Sequence, residues 1–379
     1  MSPWRAITAF GLVSLAADMV YEGARSITGP LLGTLGASAL VVGLITGAGE
    51  AAALLLRLVS GPLADRTARY WTLTIAGYGL TALCVPLLAV APALGGAGLA
   101  VAGLLIVAER VGKAIRSPAK SALLAEAAGQ VGRGRGFAVH KALDQIGAFA
   151  GPLLVAALVA AFTLPAALAA LAIPGALAMA LLFWLRPRFP APDGRDTAIV
   201  SGRLPRRFYL FALAMAASTA GLVTFGLISY HASESGGLPL ATVPLLYAAA
   251  MAAGAVAALL SGHLYDRWGP RVLYALPALA AAMPALAFAG SMPAIVAGTL
   301  LWGAAVGVQD STVKALVADL VAAPRRATAY GVFAAIQGAA ALGGGVLAGA
   351  LYGYSITLLA VVLAVLQGVA AVLLAVTRA

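Results

Sequence analysis

The first apolar stretch of the chain contains AADMVYEGARS, residues 16–26, with three ionisable side chains in it. Asp18 and Glu22 are four residues apart and Glu22 and Arg25 three, so in a helix they share about one face, with Tyr21 among them. A charge near the middle of a membrane span is costly unless it is paired or wet. One arginine does not neutralise two carboxylates in a low dielectric. One of the two acids is therefore expected to hold a proton, and a site of that kind can carry one. The alternative is an ion-pair network that only fixes helix packing.

Other residues have the same chemistry. Glu50 lies in GLITGAGEAAALLLRL with no base near it in sequence, as a proton carrier or as a protonated, hydrogen-bonded acid. Glu109, Lys113, Arg116 and Lys120 follow at spacings of 4, 3 and 4, one helical stripe, with Arg110 adjacent. Such a stripe does not face lipid. Glu109 joins Asp18, Glu22 and Glu50 as proton-coupling candidates. Arg110 and Lys113 join Tyr21 and Arg25 as candidates for substrate contact. Arg116 and Lys120 are expected to meet Glu126 and Asp144, with His140 and Lys141 alongside, in a gating network. Farther on, Gln309, Asp310 and Gln337 are the polar candidates for a cavity. Asp310 and Lys314 are spaced to pair with each other, and Tyr230 and His231 suit an interfacial belt or an outer gate.

The elements that must carry these residues follow from composition. The 379 residues are 62% hydrophobic and only 10% charged, with a mean hydropathy of +0.99. A soluble protein has about 25% charged residues, so this chain mostly faces lipid. At about 20 apolar residues per span, twelve helices are expected, roughly at 6–33, 39–63, 70–91, 96–126, 135–161, 164–185, 207–232, 239–264, 271–290, 292–321, 327–352 and 355–377. The fold class is an all-α integral membrane protein. Arg5 followed by AITAFGLVSLAA imitates a signal peptide, but the apolar character resumes after Arg25 and an uncleaved first span is expected.

Arginines cluster in alternate gaps: near Arg5, in DRTAR, GRGR, the 186–207 connector, DRWGPR and PRR, and at Arg378. The intervening gaps hold no Lys or Arg. The positive-inside rule then places both termini in the cytoplasm, and a composition rich in Arg, Ala, Gly, Val and Leu fits a bacterial inner-membrane protein. The proline- and arginine-rich connector divides the chain into 1–185, a linker 186–206 with basic residues for anionic headgroups, and 207–379. The net charge of +11 sits in these gaps and not on an amphipathic face, which argues against nucleic acid. One cysteine, Cys84, permits no internal disulfide or thiol metal site.

The halves repeat. GPLADRTAR from Gly61 matches GHLYDRWGP from Gly262 at an offset of 201, and ALLAE from Ala122 matches ALVAD from Ala315 at 193. In the second register Asp144 matches Gln337 and Gly151 matches Gly344. Two matches in order indicate duplication, and a parallel repeat of six-span halves is a known secondary-transporter plan.

GPLADRTAR resembles the loop signature of the major facilitator superfamily, with Gly61, Asp65, Arg66 and Arg69 matching and Ala68 where glycine is usual. GHLYDRWGPR resembles its second-half equivalent, with Asp266, Arg267 and Gly269. AERVGKAIRSPAKSALLAE resembles the fourth-helix segment of a bacterial branch, through Arg110, Gly112, Lys113, Arg116 and Pro118. GAFAGP, with Gly147, Gly151 and Pro152, resembles the antiporter motif of the fifth helix. The resemblance implies two pseudo-symmetric six-helix bundles and a proton-coupled, efflux-like transporter that is not an enzyme. Asp65 and Asp266 are expected to latch cytoplasmic helix ends in both halves. No cofactor or metal is expected, and GLITGAGE lacks the Gly-Lys-Ser/Thr of a phosphate loop. The expected partners are a small-molecule substrate, protons and membrane lipids, with the protein a monomer. Export by exchange for protons is the first expectation. Uptake of a small anionic solute is the second, and a transporter-shaped sensor or lipid-handling protein the third.

Overall fold

The computed structural model of the chain describes residues 1–129, 131, 133–189, 204–234, 237–321 and 326–378. All regular structure among them is helical. The α-helices are α1 (Pro3–Ser26), α2 (Thr28–Thr34), α3 (Ala39–Leu55), α4 (Arg57–Thr67), α5 (Tyr70–Leu87), α6 (Gly98–Ala128), α7 (Arg133–Ala161), α8 (Leu164–Ala170), α9 (Ala172–Leu185), α10 (Arg206–Ala220), α11 (Phe225–Glu234), α12 (Thr242–Trp268), α13 (Ala275–Ala287), α14 (Met292–Leu320), α15 (Arg326–Tyr354) and α16 (Ile356–Arg378).

Eleven helical runs among the described residues are long and apolar enough to cross a membrane. One of them, Tyr70–Ala128, has 59 residues, roughly 90 Å at 1.5 Å per residue and about three times the hydrocarbon thickness. It is two spans, α5 and α6, joined through a 3₁₀ segment, Leu88–Ala97, that bends at Gly95 (φ 56°, ψ −129°). Twelve spans result. The first and seventh are each broken, at Ile27 between α1 and α2, and at 221–224 between α10 and α11.

The chain packs as two compact units, Met1–Ile27 with Ala52–Ala198, and Thr28–Ala51 with Ile199–Ala379. In the first, α1 lies on α7 and α9, and α5 on α6 and α9. Its core includes Phe10, Trp71, Tyr78, Leu123, Leu124 and Leu182. Glycine spacing sets how closely α7 approaches α1. A β-carbon at Gly147 would run into the backbone of Leu15, and one at Gly151 into that of Met19. In the second unit α12 and α13 lie on α14, α10 lies on α15 and α16, and α2 lies on α11. Phe225, Tyr247 and Trp302 cluster with their rings tilted, and Trp302 Nε1 donates to the Val223 carbonyl at 2.8 Å.

The two matching turns have related backbones. Ala68, after α4, is left-handed at φ 50°, ψ 16°. Gly269, its counterpart at the offset of 201, has φ 63° and ψ −153°. An alanine tolerates the first conformation at a cost, whereas the second is nearly exclusive to glycine. That accounts for the departure from the usual glycine in the first half and its retention in the second.

Candidate functional site

Three clusters on α1, α5, α6 and α7 make up a charged interior in the first unit. Tyr21 of α1, buried at 2% exposure, centres one of them. Its hydroxyl accepts from Arg25 Nη1 at 3.2 Å and from Arg110 Nη1. Lys113 Nζ stands 3.8 Å from the ring centroid and Arg110 Cζ 4.4 Å from it. Arg25 also pairs with Glu22 at 3.8 Å.

Glu109 centres the second. Thr81 donates to its Oε1 at 3.1 Å. Arg110 Nε lies 3.6 Å from Oε2 and Arg116 Nη1 3.9 Å from Oε1. Arg116 also donates to the Thr81 hydroxyl at 2.6 Å and lies 4.6 Å over the Tyr78 ring. Glu109, Arg110 and Arg116 are all buried, so the charges are compensated by pairing and by hydroxyl and aromatic partners in place of water.

Asp144 of α7 centres the third. It accepts from Ser14 of α1 at 2.7 Å and from Lys141 at 2.6 Å, and Lys120 donates to the Ser14 hydroxyl at 3.2 Å. Asp18, one turn beyond Ser14 on α1, neighbours Asp144. His140 is buried alongside, and its Nε2 has no partner among the described residues.

The structure therefore divides the residues of AADMVYEGARS. Tyr21, Glu22 and Arg25 face α6, where Arg110 and Lys113 meet the tyrosine as the sequence anticipates. Asp18 faces α7. The expected pairing of Arg116 with Glu126 is not made: Arg116 reaches back two turns to Glu109, and Glu126 is exposed. Lys120 meets Asp144 through Ser14. Ser14, Tyr78 and Thr81 were not anticipated from sequence. A signal for two of them was present, since Thr74, Tyr78 and Thr81 form a buried polar stripe at spacings of 4 and 3 on an otherwise apolar helix.

The second unit has a polar but largely uncharged counterpart. Thr219 of α10 donates to Gln337 Oε1, and Gln309 Nε2 donates to Thr219 at 3.2 Å. The Oε1 of Gln309 is buried with no partner among the described residues. Asp144 and Gln337, matched in sequence, thus each accept from a hydroxyl on the opening helix of their own unit. In the same 193-residue register Trp302, Gly303, Val306 and Gln309 stand where Glu109, Arg110, Lys113 and Arg116 stand in the first unit.

Glu50 is half-buried on α3, and Asp310 is exposed on α14. Gly61 is half-buried on α4, while Arg66, Arg69 and Arg267 are exposed. The side chains of Asp65, Asp266 and Lys314, and most of the 186–206 linker, lie outside the described residues. His231 packs inside the second unit. It is buried at 2% exposure, with Nδ1 2.8 Å from the Tyr352 hydroxyl and Nε2 3.2 Å from the Ala289 carbonyl. Among the described residues no three His, Cys, Asp or Glu side chains group to hold a metal ion.

Comparison with known proteins agrees with this architecture. The sequence model of the Major Facilitator Superfamily matches residues 10–290 and again 209–379. An uncharacterised protein of Mycobacterium tuberculosis is 54% identical over 385 residues, covering 99% of this chain and 93% of its own length. An MFS-type transporter of Methanocaldococcus jannaschii is 24% identical over 353 residues, covering 90% of this chain and 87% of its own. Among solved structures, the nucleoside transporter NupG (D323A mutant) superposes with a TM-score of 0.78 at 14% identity, over 98% of this chain and 99% of that one. The helices, the repeat and the family match lead to one conclusion: the chain belongs to the Major Facilitator Superfamily and is a multi-pass membrane transporter, not an enzyme.

Proposed function

We propose that the protein is a secondary active transporter that exports a small solute in exchange for protons by alternating access. The observation that carries this reading is the position of Asp18 beside Asp144 on two closely packed helices. Two neighbouring carboxyl groups share a proton more readily than both ionise. Protons enter at a carboxylate among Asp18, Glu22, Glu50 and Glu109, with Asp18 favoured by its neighbour. Loss of charge at Glu22 or Glu109 would loosen Arg25, Arg110 or Arg116 and free hydrogen-bond donors around Tyr21. Lys113, Gln309, Asp310 and Gln337 complete the proposed substrate contacts. Residues 1–185 and 207–379 act as the rocking halves of a monomer, with both termini in the cytoplasm. Gly61, Asp65, Arg66 and Arg69, with Asp266, Arg267, Arg116 and Asp144, serve the cytoplasmic gate.

Reconstituted vesicles with an internal pH-sensitive dye test this. Solutes that provoke proton flux under an imposed pH gradient identify the cargo class, and Asp18→Asn and Glu22→Gln should lose gradient dependence. The coupling assignment fails if both variants keep it in full.

A second reading is favoured by one feature: Arg25, Arg110, Lys113 and Arg116 gather around Tyr21 and Thr81. That gathering of cations suits uptake of an anionic solute. Counterflow in preloaded vesicles, with organic anions tested against organic cations, separates the two readings.

A further inference from the structure

We propose that a groove between α1 and α9 is a binding site for one anionic phospholipid. The groove, about 520 Å³, is lined by Trp4, Arg5, Thr8, Leu12, Leu181 and Trp184 among others. Trp4, Trp184 and Leu12 are 44%, 46% and 40% exposed. In a membrane-spanning unit, that surface meets lipid.

The groove has a head and a tail. Arg5, Thr8 and Leu12 succeed one another along one face of α1, so the lining passes from cation to hydroxyl to alkyl over roughly 10 Å. The antiparallel α9 supplies Leu181 beside the tail and Trp184 beside the head. Two tryptophans at one level, next to arginine, is the composition of a membrane interface. A guanidinium there pairs with a phosphate in the bidentate geometry that favours arginine.

The rim is also basic and held in place. Beyond Trp184 the turn Arg186–Arg188 brings two more exposed arginines. Arg188 folds over the Trp184 ring, 4.7 Å from its centroid, and donates to the Trp184 carbonyl at 2.7 Å. Phe189 then fastens this turn to the first unit. Its carbonyl accepts from Trp71 Nε1 at 3.0 Å, and its ring meets Phe10 edge-on at 5.9 Å. No Asp or Glu occurs in residues 1–17 or 145–192, so neither strand of chain forming the groove brings a carboxylate to repel the headgroup. Charge complementarity therefore selects an anionic lipid over a zwitterionic one.

The full chain, purified in neutral detergent, tests the proposal without any knowledge of the cargo. Native mass spectrometry compares retention of phosphatidylglycerol with that of phosphatidylcholine. Tail-brominated phosphatidylglycerol reports proximity by quenching tryptophan fluorescence. The wild type should retain phosphatidylglycerol at least about tenfold over phosphatidylcholine, and Arg5→Gln should lower that preference about fivefold. Leu12→Phe, which narrows the tail of the groove and adds no tryptophan, should reduce quenching. Arg206→Gln, a surface arginine on α10, should change nothing. Equal retention of the two lipids by the wild type would overturn the proposal. So would wild-type behaviour of both Arg5→Gln and Leu12→Phe, or displacement of phosphatidylglycerol by inorganic phosphate alone.

Discussion

Glu109→Gln isolates what the buried charge network contributes. The carboxylate lies 3.6 Å from Arg110 and 3.9 Å from Arg116. At an effective dielectric near 20 each attraction is about 4 kcal/mol. Desolvation of the ions cancels much of that, yet removing the acid alone leaves two arginines buried without their counter-charge, a loss of about 3–5 kcal/mol. The lower figure is expected here. Glutamine can still accept from Thr81, Arg110 keeps the Tyr21 hydroxyl, and Arg116 keeps Thr81 and the Tyr78 ring.

The chain supplies its own reporter. Cys84 is its single cysteine, three residues beyond Thr81 on α5 and 6% exposed. A thiol-reactive fluorophore labels it when α5 separates from its packing. A loss of about 3 kcal/mol corresponds to roughly a hundredfold in the opening equilibrium. Labelling of Glu109→Gln in detergent should accelerate by that order. Adding Arg116→Gln should recover much of the loss, because a stranded cation goes with the acid. An acceleration below about threefold, or a double variant that labels faster still, would refute the claim that Glu109 secures α5 to α6.

Further outcomes follow from the same geometry. Gly269→Ala should lower stability by about 1–3 kcal/mol, since φ 63° with ψ −153° suits glycine. Ala68→Gly, at φ 50°, should be neutral or stabilising by about 1 kcal/mol. Thermal unfolding in detergent measures both, and equal sensitivity of the two turns would contradict the account. Tyr21→Phe removes the acceptor shared by Arg25 and Arg110 but keeps the ring facing Lys113. It should weaken transport of the identified solute about tenfold and lower stability by about 1.5–3 kcal/mol, the worth of a charged hydrogen bond. Asp144→Asn retains an acceptor for Ser14 and should leave expression and monodispersity intact. Proton dependence in vesicles should fall sharply, and unaltered coupling would exclude Asp144 from the proton path.

Much of the fold was legible because lipid imposes simple rules. The alternation of arginine-rich and arginine-free gaps gave twelve spans, and the structure divides the longest helical run at Gly95, between two anticipated spans. Glu109, Lys113, Arg116 and Lys120 were legible as an inward stripe, but not the neighbours they choose. A long guanidinium reaches several partners, and tertiary packing selects among them. Arg116 stands seven residues from Glu109, two turns along one face, and that alignment wins over Glu126. His231 resembled a belt residue because it follows Tyr230 near the end of its span. Its partners, Tyr352 and the Ala289 carbonyl, come from residues 121 and 58 positions away. Thr81 does not stand out in sequence, because a threonine hydroxyl in an apolar helix usually bonds its own backbone.

The duplication separates scaffold from chemistry more sharply than either half does alone. Where both halves keep a feature, the fold requires it. A hydroxyl of the opening helix bonds the residue at 144 or 337, and a positive φ closes the turn at 68 or 269. Where they diverge, the divergence is consistently in charge. Carboxyl becomes carboxamide between Asp144 and Gln337, and Glu109, Arg110, Lys113 and Arg116 give way to Trp302, Gly303, Val306 and Gln309. A hydrogen bond alone would be served by glutamine in both halves, as it is in the second. Keeping an ionisable group at 144, beside Asp18 and against Lys141, adds desolvation cost without adding a contact the scaffold needs. In the proposed cycle, the physical return on that cost is a carboxylate beside Asp18 with which a proton is shared. This asymmetry is why the proposed proton chemistry is assigned to the first unit, and why carboxamide variants, which restore the pattern of the second, are the informative ones.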